Sequence, residues 1–160
     1  AARQGFHHAQ YITAVNYQMG RGVLQDFKLS EFWHTQCAEQ TPSDQPLSVS
    51  LVLCRNALGM MYYGGMEVPK NLSKAKYWLV KAAELGAESA MANVGALYAN
   101  GEGVIQDSVI AHMWFNMAAA KGYEVAREYM EEEMKFMTTA QIAEAQTLAR
   151  ECVRKEYKDC

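Results

Sequence analysis

The sequence predicts an all-α protein, a right-handed α-solenoid of stacked αα-hairpins finished by capping helices at its C-terminal end. Three observations predict it. Gly59, Tyr62, Gly65, Val68, Ala75, Trp78, Ala82, Ala83 and Gly86 return 36 residues later as Gly95, Tyr98, Gly101, Val104, Ala111, Trp114, Ala118, Ala119 and Gly122. An internal period of about 20 to 50 residues marks a chain whose units bury their apolar faces by stacking on neighbours. Upstream, Ala14, Tyr17, Gly20, Val23, Ser30, Trp33, Cys37 and Ala38 keep the same internal offsets, although Ala14 to Gly59 spans 45 residues, so nine extra residues lie between the first two units. Within the units the apolar residues follow the 3.6 period of a helix: Leu58, Met61 and Tyr62 share one face, as do Val94, Leu97 and Tyr98.

Composition narrows the class. A chain of 160 residues that is 50% hydrophobic and 21% charged suits one folded domain. The net charge of −3 and the lack of a Lys/Arg run exclude binding to nucleic acid through phosphate neutralisation. No stretch reaches the roughly 18 consecutive apolar residues of a spanning helix, and the opening residues lack the charged-then-apolar order of a signal peptide. The opening AARQG matches the end of a unit, as in KAAELG and AAAKG, and predicts that sequence upstream has been removed.

Taken in order, repeat one spans about 6–40, an inserted loop about 41–50, repeat two about 51–86, repeat three about 87–122, and capping helices about 123–157, all in one domain over 1–160. The first helix of each unit carries a small residue at its middle (Ala14, Gly59, Gly95). A mid-helix Gly costs about 1 kcal/mol against Ala, so its recurrence predicts a helix packed too close for a side chain. Gly-rich stretches (QMGRG, YGGME, ANGEG) then supply the positive φ that stops a helix and reverses the chain. Glu67 breaks the pattern of Gly22 and Gly103, so the second turn is expected to differ. Asp26, Asn71 and Asp107 sit where an N-cap belongs. The second helix places Ser30, Ala75 or Ala111, then Trp33, Trp78 or Trp114, then the alanine pair on one face, and these tryptophans read as core. The insertion EQTPSDQPLSVS, with Pro42 and Pro46, reads as a non-helical loop. Residues 123–135 form an apolar-then-acidic helix, and Thr138 with Gln141 opens the last one in capping-box spacing. Its stripe is Ile142, Ala145, Ala149, Cys152 and Val153.

The order A-L-G-x-M-Y-x-x-G over 57–65, the Asn71 cap, K-A-x-x-W-x-x-K-A-A over 74–83 and the closing Gly86 resemble the Sel-1-like repeat family, a relative of the tetratricopeptide repeats. The resemblance covers residues 1–122, and TTAQIAEAQTLARE is similar to the helix that ends such arrays. It implies a bacterial protein-binding adaptor or inhibitor, often outside the cytoplasm, monomeric in isolation and without a cofactor. Its sharpest form is an immunity protein that neutralises a secreted phospholipase-type effector of a type VI system; the alternative within this class is a general periplasmic scaffold or regulatory protein. Tetratricopeptide-like arrays bind on a concave face lined by first-helix positions that the consensus leaves free. Transferred here, these are His8, Tyr11, Val15 and Gln18 in repeat one, Leu53, Asn56, Met60 and Tyr63 in repeat two, and the smaller Ser89, Ala92, Ala96 and Ala99 in repeat three. Aromatic and Met side chains are the types that anchor interfaces, so repeats one and two are the expected site.

The four cysteines admit two disulfides. Cys37 and Cys54 lie on consecutive helices across the insertion and are expected to pair. Cys152 and Cys160 would stand about 12 Å apart along a straight helix, beyond disulfide reach, so their pairing requires a chain reversal after about Lys155. Oxidised cysteines place the chain in the periplasm or outside the cell; four reduced thiols in the cytoplasm are the alternative. A metal site built from His34, Cys37, Cys54 and His7 or His8 lacks a second closely spaced ligand pair, so no metal is expected. Ser73 and Lys76 match the S-x-x-K of a Ser-Lys hydrolase of β-lactamase type, the enzyme alternative. No K-T-G follows and Ser73 falls in the first turn of a second helix, so no catalytic residue is assigned.

Overall fold

The computed structural model describes residues 2–40, 49–65 and 67–160. Over these the chain is all-α, with no strand among the described residues. The helices are α1 (Ala2–Met19), α2 (Phe27–Ala38), α3 (Val49–Gly64), α4 (Leu72–Ala83), α5 (Glu88–Asn100), α6 (Ser108–Ala120), α7 (Glu124–Met134) and α8 (Thr139–Arg154). The insertion expected at 41–50 lies outside the described residues up to residue 48; its last two residues, Val49 and Ser50, already form the first turn of α3. The chain divides into two compact units, Ala1–Trp78 and Leu79–Cys160.

The hairpin turns share their first glycine and their cap, but the second differs at Glu67, as expected: Gly22 and Gly103 both hold φ of 73°, whereas Glu67 is not left-handed. Gly20, Gly65 and Gly101 hold φ of 66°, 66° and 67°, left-handed values that glycine adopts without a Cβ penalty. The cap residue of each following helix then donates its N–H to the carbonyl of the unit's Tyr: Asp26 to Tyr17 at 3.0 Å, Asn71 to Tyr62 at 2.9 Å and Asp107 to Tyr98 at 3.0 Å. Each cap side chain accepts in turn from the first helical turn, Asp26 from Lys28 and Leu29, Asn71 from Lys74, and Asp107 from Ile110. Such a cap contributes about 1 kcal/mol.

In the unit Ala1–Trp78, α1 packs on α2 and on α3, and α2 packs on α3. Its core gathers Cys37, Ala38, Cys54, Leu58, Met61, Tyr62, Val68 and Ala75, with Tyr11, Tyr63 and Trp78 packed against it. A disulfide joins Cys37 of α2 to Cys54 of α3 with Cα atoms 6.0 Å apart. Next to it, the buried Arg55 donates its Nε to the Ala38 carbonyl at 3.0 Å and a terminal nitrogen to the Gln40 carbonyl at 3.3 Å. A guanidinium there serves the unpaired carbonyls that end α2 and opposes the negative end of its dipole.

In the unit Leu79–Cys160, α6 is the centre, packed on α5, α7 and α8. Ala111 to Phe115, Met117 and Ala118 are all buried, so this helix is apolar nearly all round, as a surrounded helix must be. Its approach to α5 explains Gly95: a Cβ there would stand 2.7 Å from the Phe115 ring and 3.2 Å from the Ala111 carbonyl oxygen. Trp114 is 3% exposed, a core residue as its spacing indicates, whereas Trp33 and Trp78, expected in the core by the same spacing, are only half-buried. Helix α8 opens on the Thr138–Gln141 capping box and buries Ala145, Ala149 and Cys152. Val153, expected in that stripe, is 49% exposed, because the chain turns away one residue after it. The reversal runs through Glu156, Tyr157 and Asp159 at φ of 54°, 64° and 52° and brings Cys160 to Cys152, Cα to Cα 5.4 Å. The Tyr157 N–H bonds to the Cys152 carbonyl at 2.9 Å, and Lys121 Nζ lies 5.4 Å from the centroid of the Tyr157 ring. Hydrogen bond, cation–π contact and covalent bridge together hold three non-glycine residues in a conformation that costs each of them energy.

Candidate partner-binding face

Helices α1 and α3 are tied to each other at both ends. Near their N-termini His8 Nδ1 and Ser50 Oγ share a hydrogen bond of 3.3 Å. At the other end, Gln18 in the last turn of α1 donates its Nε2 to both carboxylate oxygens of Glu67, just past the end of α3, at 3.0 and 3.1 Å. N-terminal end meets N-terminal end, so the two helices run side by side in one direction.

The expected site residues differ in how much of themselves they offer. Leu53 is 39% and Met60 41% exposed, both large and apolar, and His8 is exposed beside them. Val15, Gln18, Asn56 and Tyr63 are half-buried. Tyr11 is also half-buried, with its ring centroid 6.0 Å from that of the buried His34, so part of this side chain belongs to the core. Lys70 Nζ sits 5.5 Å from the centroid of the Tyr63 ring. Gln18 and Met60 come together in an open depression of about 160 Å³ that Ala57, Met61, Gly64 and Glu67 complete. Sequence reasoning missed Ala57, Met61, Gly64 and Glu67 as site residues, and Glu67 is the charged one. The signal was present, a carboxylate where the neighbouring units have Gly22 and Gly103, but its partner lies 49 residues away. In the other unit, α5 carries Ser89, Ala96 and Ala99 half-buried and Ala92 buried.

The candidate chemistry elsewhere is otherwise occupied. The sulfurs of Cys37 and Cys54 are bonded to each other, which removes the thiolates that the metal alternative required. Ser73 stands exposed in the first turn of α4. A part-buried polar cluster ties three helices: the Tyr62 hydroxyl donates to the Glu31 carboxylate, while Lys74 Nζ donates to the Tyr62 hydroxyl oxygen at 3.3 Å and lies 4.7 Å from the centroid of its ring. Burial first, and the Glu31 carboxylate second, push the Tyr62 phenol well above its ordinary range. A phenol so held keeps its proton, and the cluster fastens α2, α3 and α4 together.

The repeated turn geometry and the recurring Gly, Tyr and Trp positions are matched by the family model described as Sel1 repeat, over residues 7–42, 52–86 and 88–123. The chain belongs to the Sel1 repeat family. Among solved structures, a Sel1 repeat protein from Oxalobacter formigenes is similar with a TM-score of 0.67 and 29% identity, covering 80% of this chain and 90% of that one. A protective antigen of uropathogenic Escherichia coli displaying an SLR fold covers 98% of this chain and 40% of its own at a TM-score of 0.62 and 24% identity, a likeness of fold. Among curated proteins, chitin synthase regulatory factor 3 of Schizosaccharomyces pombe is 29% identical over 161 residues. This Sel1 repeat chain spans 16% of that relative's length. Sel1 repeats generally mediate interaction between proteins, and no described helix of this one is long and apolar enough to cross a membrane.

Proposed function

We propose that this Sel1 repeat chain is a non-catalytic binding module that docks one partner protein on the α1/α3 face and inhibits or scaffolds it. The observation that carries the reading is the pair Leu53 and Met60, large apolar side chains left exposed on helices braced at both ends. A braced face loses little freedom when a partner docks, and an apolar centre within a polar rim is the usual anatomy of an interface. The name of the yeast relative, a regulatory factor, supports a regulatory outcome of binding. Two disulfides support a setting outside the cytoplasm, in the periplasm or beyond the cell, where an immunity protein against a secreted phospholipase-type effector would work as a monomer.

Affinity capture with the oxidised protein tests this reading. One protein should be retained in a 1:1 ratio by the wild type and lost from the Leu53→Asp variant. Hydrolysis of a chromogenic β-lactam by the wild type that disappears in Ser73→Ala would overturn it in favour of the Ser-Lys hydrolase.

A further inference from the structure

We propose that the depression between Gln18 and Glu67 is a receptor for an arginine side chain of the partner. The inference rests on the docking reading of the α1/α3 face and names the chemistry that this face recognises. Its volume of about 160 Å³ is well below the roughly 300–1,000 Å³ of small-molecule sites, and suits a single long side chain. The walls are apolar and adaptable, with the Met60 and Met61 side chains and the small Ala57 and Gly64, where an added Cβ would meet nothing within 4 Å. The only charge among the described lining residues is Glu67.

That carboxylate is prepared for a cation. Gln18 holds both oxygens through one nitrogen, which fixes the plane of the group and leaves lone pairs on each oxygen for a further donor. Among the described residues no lysine, arginine or histidine forms an ion pair with Glu67. A planar guanidinium presents two parallel N–H groups to a carboxylate, is weakly hydrated, and carries a three-carbon stem that can lie along the methionine walls. A neutral side chain would leave the carboxylate without compensation when the partner covers it, which is costly. The position supports the same reading, since the second turn carries Glu67 where its neighbours carry glycine.

The probe is N-acetyl-arginine amide, with N-acetyl-citrulline amide as its neutral counterpart of the same shape, titrated at millimolar concentration into the oxidised, isotope-labelled protein. The side-chain amide signals of Gln18 and the methyl signals of Met60 and Met61 should shift in a saturable way with arginine, and at least fivefold less with citrulline. Glu67→Gln should remove the arginine response, with an otherwise unchanged amide spectrum showing that the fold persists. Equal responses to the two probes, no response to either, or a full response in Glu67→Gln would overturn the proposal. The citrulline control needs no variant, so it decides even if Glu67→Gln fails to fold. The titration itself needs no partner, and set beside the capture experiment it separates the two readings: arginine binding with capture unaffected by Leu53→Asp would sink the docking reading and keep this site, and the reverse result would sink this site alone.

Discussion

His34 stands at the core position that the second and third units fill with Leu79 and Phe115. It is fully buried, and neither ring nitrogen has a hydrogen-bond partner among the described residues. Burial pushes its pKa down from 6.5 to about 4. The sign follows from linkage: the unfolded chain takes up a proton near pH 6.5 and the folded one only near 4, so stability is complete above that window and falls as pH drops through it. At about 1.4 kcal/mol per pKa unit, the loss reaches about 3 kcal/mol at the acid end. His34→Leu, which copies the second unit, should raise the melting temperature at pH 4.5 far more than at pH 7. An equal gain at both would refute the titration. His112, whose pKa burial lowers against the opposing pull of Glu133, leaves a residual slope of the same sign. Gly95 is the second residue-scale test. Ala would gain about 1 kcal/mol of helix propensity, but its methyl meets the buried Phe115 ring and the Ala111 carbonyl, an overpacking that costs about 1–3 kcal/mol. Net destabilisation is expected from Gly95→Ala in thermal unfolding, and a stabilised variant would show that α6 gives way.

At the scale of elements, legibility follows the range of the interactions. Asp26, Asn71, Asp107 and the Thr138–Gln141 box were readable because a cap bonds within three residues of itself. The tie from Gln18 to Glu67 and the cluster of Glu31, Tyr62 and Lys74 were not, since they join residues that only tertiary packing makes neighbours. Tyr11 shows the same limit from the other side: its spacing marks a free first-helix position, yet the His at position 34 draws its ring partly into the core. The two disulfides differ in exposure, and their behaviour should differ accordingly. Cys37 and Cys54 are fully buried, whereas Cys160 is exposed at the end of the reversed segment. Mild reductant followed by alkylation should modify Cys152 and Cys160 first, read by peptide mass. Reduction of the inner bridge should cost more stability, about 3 kcal/mol for a loop near 15 residues, and modification of Cys37 and Cys54 first would contradict the packing.

For the molecule as a whole, the period of 36 residues carried the fold, because nine positions that must agree for hairpins to pack recur together between Gly59–Gly86 and Gly95–Gly122. Function was legible only as a class. A repeat specifies its own packing, while the residues that choose a partner are those the repeat leaves free, and the proposed arginine receptor rests on Glu67, a single departure from the pattern. Binding on the α1/α3 face can be measured by titration calorimetry of the captured partner against variants at two pairs of exposed apolar positions in the same unit. Truncating an anchor at the centre of an interface often costs about 2 kcal/mol or more, so Leu53→Asp and Met60→Asp should each weaken the complex at least tenfold, while Leu29→Asp and Phe32→Asp on α2 leave affinity within about twofold. Unchanged affinity in the first pair with loss in the second would place the interface on α2 and contradict the account.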